Sequence, residues 1–307
     1  MSEQEQVKVT PAAGRIGAII EGITLSGDLD AGTVSFIREQ LLKHKVIFFR
    51  GQNHLDNAGQ EEFAKLLGSP VAHPTVKSKE GTSYVLELDS THGGRANVWH
   101  TDVTFVDAYP AASILRGIVI PEAGGDTVWA NTAAAYELLP QELRELADKL
   151  WVLHSNEFDY AASSRAVNTL GKEGAKKYRE SFTSTIYETE HPLVRVHPET
   201  WERTLVLGGF AKRIIGFSVA DSVRLISLLQ EHITSLENTV RWRWAEGDVA
   251  VWDNRATQHY AVNDYGEQHR VVRRVTIAGE VPVSIDGRKS ETRVIPGEVP
   301  AAAVSAK

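Results

Sequence analysis

The stretch Trp99-His100-Thr101-Asp102-Val103-Thr104-Phe105 constrains this chain more than any other. In an extended segment alternate side chains share a face, so His100 and Asp102 can offer one imidazole and one carboxylate to a single ion. A third ligand is available in His259, far downstream in Trp252-Asp253-Asn254-Arg255-Ala256-Thr257-Gln258-His259. A chain that uses all three must bring two distant segments side by side. Two histidines and a carboxylate on one side of a metal, with the other positions open, suit a non-haem Fe(II) that binds a cosubstrate and dioxygen. The spacing alone is a weak signal, because His54-Leu55-Asp56 repeats it. Context separates the two: Asp56 follows an apolar run and a turn and precedes a helical pattern, so helix capping explains it.

The rest of the pattern describes the scaffold. Runs rich in β-branched and aromatic residues recur at Val7–Val9, Gly17–Leu25, Val46–Phe49, Tyr84–Leu88, Ser113–Ile120, Thr127–Ala130, Leu193–Val196, Thr204–Leu207, Val240–Trp244, Asp248–Trp252 and Arg270–Ala278. Helical spacing predicts Thr33–His44 capped by Asp30, Asn57–Leu67 ended by a left-handed Gly68, a short helix capped by Thr132, then Gln141–Leu150 and Ser218–Glu237. Many short strands with few helices between them argue for a mainly β fold, a closed or sandwiched core with helices outside. No repeat or low-complexity linker divides the chain. One domain is therefore expected over 14–285, between flexible tails at 1–13 and 286–307. Thr91–Asn97, just before the first ligand, could close over a substrate, although a solvated connector explains it equally well. Tyr160–Tyr178 reads as a flexible insertion.

Composition narrows the partners. A net charge of −7 and a pI near 5.9 offer no basic surface for nucleic acid. There is no cysteine, so a metal site must be built from His and carboxylate. Met1–Gln6 is polar and acidic, unlike a signal peptide, and no apolar run approaches membrane-spanning length, so a cytoplasmic protein with no membrane partner is expected. An anionic small molecule would need a local cluster of cations. In a strand running Arg270-Val271-Val272-Arg273-Arg274, Arg270 and Arg274 share one face, and guanidinium forks bind carboxylates and sulfates through two bonds at once.

These motifs, with Gly124-Gly125-Asp126-Thr127-Val128-Trp129-Ala130-Asn131, resemble in content and order the taurine dioxygenase family of Fe(II)/2-oxoglutarate oxygenases. The resemblance runs from about Gly14 to about Val283, and within the family it is strongest to the bacterial alkylsulfatases. It implies a double-stranded β-helix, or jelly roll, with Fe(II) on His100, Asp102 and His259, and with 2-oxoglutarate and dioxygen as cosubstrates. It puts Arg270, eleven residues after the distal histidine, and the Thr127 hydroxyl on the far carboxylate of 2-oxoglutarate. It puts Arg274, His73 and the backbone of Val103 on the sulfur group of the substrate; without it, His73 reads as an ordinary loop histidine. Phe105, Phe210 and Trp252 are pocket walls or simply core.

The implied reaction hydroxylates the carbon bearing a sulfate ester, and the product collapses to aldehyde and sulfate, with succinate and carbon dioxide formed alongside. The expected partners are a small anionic organosulfur substrate and further copies of the chain, as a dimer or tetramer. Two other readings stay open: taurine or another alkylsulfonate as the substrate, and a zinc-dependent sulfate ester hydrolase, since His and Asp also bind zinc. The paired arginines favour the oxygenase. Taurine enzymes of the family carry a tyrosine three residues after the histidine matching His73, and acidic and amide side chains just before the iron motif. Val76, Arg95 and Ala96 stand at those places, and they suit a hydrocarbon chain better than an ammonium.

Overall fold

Val46-Ile47-Phe48-Phe49 and Val249-Ala250-Val251-Trp252 are apolar at every position, which a strand can be only when both of its faces are covered. The computed structural model describes residues 7–91, 96–157 and 180–295. Its strands, in chain order, are β1 (Lys8–Pro11), β2 (Ala18–Glu21), β3 (Val46–Phe49), β4 (Pro70–Val71), β5 (Leu86–Asp89), β6 (Ala112–Val119), β7 (Thr127–Asn131), β8 (Trp151–Ser155) and β9 (Ile186–Pro192). There follow β10 (Val194–Val196), β11 (Arg203–Leu205), β12 (Ala211–Ile214), β13 (Thr239–Trp242), β14 (Val249–Asp253), β15 (Thr257–Ala261), β16 (Val271–Ile277) and β17 (Glu291–Ile295). The α-helices are α1 (Ala31–His44), α2 (Asn57–Leu67), α3 (Thr132–Glu137), α4 (Gln141–Ala147) and α5 (Val219–Ile233).

One large sheet runs β1-β2-β3-β14-β6-β16-β4, with β5 also paired to β16, and a smaller sheet runs β13-β7-β15. Alternation assigns the faces. Ile47, Phe49, Val249 and Val251 share a core with Ile37 and Leu41 of α1 and with Phe63 and Ala64 of α2. Val46, Phe48, Ala250 and Trp252 point the other way, against Trp129 of β7 and Val240 and Trp242 of β13. There Phe48 stacks on Trp242 with ring centroids 4.1 Å apart and meets Trp129 edge-on at 5.4 Å. Such pairs add about 0.5–1.5 kcal/mol each beyond the area they bury. The chain is thus mainly β with helices outside, and its two facing sheets are the layers expected of a jelly roll. A further sheet, β12-β8-β9-β17, and the β10-β11 pair complete the strands, and Leu193, Leu205, Ile214 and Leu229 form another core beside α3 and α5.

Capping chemistry places most helix starts where the sequence does. Asp30 accepts from the N–H groups of Gly32 and Thr33, and Asp56 from that of Gly59. Asp56 is accordingly a cap, as its context indicates. Some ends differ from expectation: α4 stops at Ala147 and α5 at Ile233, before Leu150 and Glu237, and two caps differ in kind. Asn131 rather than Thr132 caps α3, its side-chain oxygen accepting from the N–H groups of Ala133 and Ala134. Gly68 ends α2 with extended backbone, φ 161°, and glycine is needed there for space, since a Cβ would lie 2.5 Å from Cγ2 of Ile277.

The described residues extend past 14–285 on both sides. β1 pairs with β2 and β17 pairs with β9, so strands occupy parts of both stretches read as flexible tails. Strands β8, β9 and β15 escape a hydrophobicity pattern because several of their buried positions are polar, among them His154, Thr189, His191 and Thr257, and β12 escapes it because its one buried residue is Ile214. The expected insertion 160–178, Arg95, and the tail segments 1–6 and 296–307 lie outside the described residues. Among the described residues no helix is long and apolar enough to cross a membrane.

Candidate active site

The two histidines meet through their backbones. His100 donates its N–H to the His259 carbonyl at 3.0 Å, and His259 donates back to the His100 carbonyl at 2.8 Å, forming an isolated antiparallel bridge. Residues that exchange both bonds lie directly opposite one another, and the two rings follow, with centroids 4.1 Å apart. Gly208 permits the approach. With φ +107° it occupies a conformation glycine favours, and a Cβ there would lie 3.0 Å from the His100 Cα and 3.0 Å from the Trp99 carbonyl oxygen.

Asp102 completes the group by a route the sequence does not reveal. Extended alternation stops at the bridge, and the chain turns directly after it, with Val103 at φ 60° and the Val106 N–H on the Val103 carbonyl. A β-branched residue at positive φ is strained and persists only where its surroundings over-determine it. The clamps are on both sides of the turn. Thr101 Oγ1 donates to the Thr257 carbonyl at 2.6 Å, and Thr189 Oγ1 to the Phe105 carbonyl at 2.6 Å. Thr104 is held at its hydroxyl by His154 Nδ1 at 2.9 Å and at its carbonyl by the His191 Nε2–H at 2.8 Å.

Asp102 Oδ1 lies 3.7 Å from His100 Nε2 and 3.8 Å from His259 Nε2, and one ligand atom from each of the three falls within 4.8 Å of the others. All three residues are buried. His100 Nδ1 donates to the Val98 carbonyl at 2.7 Å, which leaves the Nε2 lone pair for a metal. Burial pushes both imidazoles below their ordinary pKa, so both are neutral at pH 7, as ligands must be. Burial pushes the Asp102 carboxyl up, but the Arg274 guanidinium and the hydrogen bond from Ser113 lower it and hold the group ionised. Two neutral imidazoles and one carboxylate facing a common point fit Fe(II).

Strand β16 and the residue just before it bring Arg270, Val272 and Arg274 to the recess that contains this group, while Arg273 turns away to Glu87 at 2.8 Å. Arg270 Nε donates to the Gly125 carbonyl at 3.0 Å, and Gly125, at φ +73°, leaves the room a Cβ would take only 3.0 Å from Arg270 Cδ. Thr127 also lines the recess, and its oxygen accepts from Trp244 Nε1 at 3.0 Å, so its own proton can be donated elsewhere. Arg274 donates through Nη1 to Asp102 Oδ1. His73 and Val103 line the recess beside it. His73 Nδ1 accepts from the N–H groups of Val76 at 3.0 Å and Thr75 at 3.2 Å, so the proton of the neutral ring sits on Nε2. Burial, and then Arg274, push this ring's pKa down to about 3.

Of the three aromatic residues singled out, Phe210 and Trp252 line the recess and Phe105 does not. Phe105 is fully buried behind it, meeting Phe210 edge-on at 5.1 Å and Phe182 at 5.6 Å. Sequence reasoning missed Phe182, a wall that follows directly on an uninformative stretch. It also missed the support of Asp102: Ser113 Oγ donates to Asp102 Oδ2 at 2.8 Å, Asn254 Nδ2 to Ser113 Oγ at 2.8 Å, and Trp252 Nε1 to Asn254 Oδ1 at 2.9 Å. A signal was present, a lone hydroxyl between the apolar neighbours Ala112 and Ile114 at the buried start of β6.

Comparison with known proteins agrees with this geometry. The chain is 65% identical over 287 residues to an alpha-ketoglutarate-dependent sulfate ester dioxygenase of Pseudomonas putida, covering 94% of each chain. It is 58% identical over 288 residues to an alkylsulfatase of Acinetobacter baylyi, covering 94% of this chain and 90% of the relative. Among solved structures, a taurine dioxygenase from Burkholderia xenovorans superposes with a TM-score of 0.79 at 39% identity, covering 95% of this chain and 96% of the other. A family model, taurine catabolism dioxygenase TauD, TfdA family, matches residues 8–276. On this evidence of sequence, fold and buried His-Asp-His group together, the chain belongs to the TauD/TfdA family of dioxygenases.

Proposed function

We propose that this protein is an Fe(II)/2-oxoglutarate-dependent dioxygenase that oxidises the sulfate-bearing carbon of alkyl sulfate esters, releasing aldehyde and sulfate. The observation that carries the reading is the pair of arginines, Arg270 just before β16 and Arg274 on it, in one recess with the His100, Asp102 and His259 group. A dicarboxylate cosubstrate and an anionic substrate need two such cations; a zinc-dependent ester hydrolase needs one. The names of the Pseudomonas and Acinetobacter relatives support the same substrate class.

Fe(II) held by His100, Asp102 and His259 supplies oxidation of the substrate carbon by dioxygen, coupled to conversion of 2-oxoglutarate to succinate and carbon dioxide. The side chains do the positioning. Arg270 and the Thr127 hydroxyl hold the far carboxylate of 2-oxoglutarate through charge-assisted bonds. Arg274, the Nε2–H of His73 and the backbone of Val103 hold the sulfate. His73 stays neutral at working pH, so it offers a donor without adding charge to the recess. The hydrocarbon lies against Phe182 and Phe210, near Val76, which packs on the same aromatic cluster. Walls of this kind exclude water from the reacting carbon. They also favour length, since each buried methylene is worth about 0.8 kcal/mol.

The test is 2-oxoglutarate-dependent oxygen consumption with a medium-chain alkyl sulfate, a short alkyl sulfate and taurine. Specificity constants should fall in that order, with one sulfate released per oxygen consumed. Taurine turned over as well as the medium chain would move the substrate to the alkylsulfonates. Sulfate released without oxygen and 2-oxoglutarate would mean hydrolysis. Light scattering at working concentration checks the dimer or tetramer expected of the chain.

A further inference from the structure

One guanidinium stands between two sites. Arg274 Nη1 donates to Asp102 Oδ1, the same oxygen that faces Nε2 of His100 at 3.7 Å and of His259 at 3.8 Å. The other carboxylate oxygen is taken by Ser113 Oγ at 2.8 Å. The atom a metal needs is therefore the atom Arg274 holds. Arg274 is 8% exposed, and its Nε is buried with no hydrogen-bond partner among the described residues. A buried donor on a cation is costly to leave unanswered, and this one belongs to a side chain lining the same recess as the His73 donor. Arg270 differs, because its Nε is committed to the Gly125 carbonyl.

We propose that Arg274 couples metal and substrate: its charge opposes a divalent ion at Asp102 until an oxyanion occupies its unanswered edge, so that alkyl sulfate and metal each tighten the other's binding. The inference rests on the reading of Arg274 as the sulfate site. A fixed positive charge in contact with a ligand oxygen repels an incoming dication, and in a buried site salt screens that repulsion little. A sulfate on the guanidinium cancels the charge. The sign is the same whether the arginine leaves Asp102 or stays on a second lone pair. Because the coupling is a free energy shared by two binding events, it acts equally in both directions.

The experiment uses the full, metal-free chain without oxygen or 2-oxoglutarate. Mn(II), which does not turn over, is titrated with and without saturating hexyl sulfate, and hexyl sulfate is titrated by calorimetry with and without Mn(II). Wild-type protein should bind Mn(II) about 5- to 100-fold more tightly when hexyl sulfate is present. Arg274→Gln should bind Mn(II) more tightly than wild type in the absence of hexyl sulfate and show no coupling, and Arg274→Lys, which keeps the charge, should stay near wild type. Mn(II) affinity unchanged by bound hexyl sulfate overturns the inference, as does weaker Mn(II) binding by a folded Arg274→Gln variant. The wild-type arm needs no variant, so misfolding of one does not shield the idea. If hexyl sulfate does not bind at all, the substrate reading falls, and the Arg274→Gln comparison alone decides: tighter metal upholds the coupling charge, weaker metal removes it.

Discussion

At the scale of single residues, the site depends on a few atoms with no substitutes nearby. Asp102 is the one carboxylate in the metal group among the described residues. Asp102→Ala should lower Fe(II) or Mn(II) affinity by more than about 100-fold and abolish succinate formation, since second-sphere changes alone commonly cost 10- to 100-fold. Near-normal metal binding measured by calorimetry would exclude the triad. Arg270→Ala should weaken 2-oxoglutarate by about 2–5 kcal/mol, the loss expected when one partner of a buried charge pair is truncated. Hexyl sulfate binding to that variant should be unaffected. Loss of both ligands together would show that the two arginines serve one site.

At the scale of elements, the ligands are precise because the segments carrying them are tied to neighbours. Gly208 lets the chain pass behind His100, so Gly208→Ala adds both backbone strain and a contact 3.0 Å from the His100 Cα. A stability loss of about 1–3 kcal/mol is expected from the strained conformation. Urea denaturation reads it, and Mn(II) affinity should drop in the same variant. His191 ties β9 to the turn that follows Asp102 at one ring nitrogen and to Ser290 at the other, 2.7 Å away. Burial pushes its pKa down to about 3, whereas in the unfolded chain it titrates near 6.5. Between those values the unfolded state binds more protons. The contribution is therefore complete above about pH 6.5 and is lost as pH falls toward 3, by up to about 1.4 kcal/mol per pH unit for this one group. His191→Asn should flatten the fall in urea midpoint between pH 7 and pH 4.5. His73, His100, His154 and His259 shift in the same direction, so some acid sensitivity should remain.

At the scale of the whole molecule, the substrate and the protein repel each other. The chain carries a formal charge of −7, yet the proposed ligands are anions. Long-range repulsion is screened by salt, while the buried contacts with Arg270 and Arg274 are screened much less. Raising sodium chloride from about 0.05 to 0.5 M, across which the Debye length falls several-fold, should leave kcat/KM for hexyl sulfate unchanged or raise it up to a few-fold. A steep fall would mean that an exposed basic surface gathers the substrate. None is evident in the composition, and the cations that matter are inside.

The amino-acid sequence by itself determined the ligand types, the absence of thiolate chemistry, the strands apolar on both faces, and the two arginines at even spacing. The absence of cysteine is read over the whole chain; each of the others is a property of a short window, where residue identity and the two-residue period of a strand are enough. Tertiary structure decided the rest. The register of β6 against β14 and β16 sets Ser113 opposite Trp252 and Thr276, from where its hydroxyl reaches Asp102. The bridge between His100 and His259, the turn at Val103, the burial of Phe105 behind Phe210, and the pairing of Glu291–Ile295 with Ile186–Pro192 are likewise outcomes of packing. The sharing of one carboxylate oxygen by Arg274 and the metal group is the last of these. Such contacts join residues far apart in the chain, and their free energy depends on which strands pair and in what register, which no local window contains.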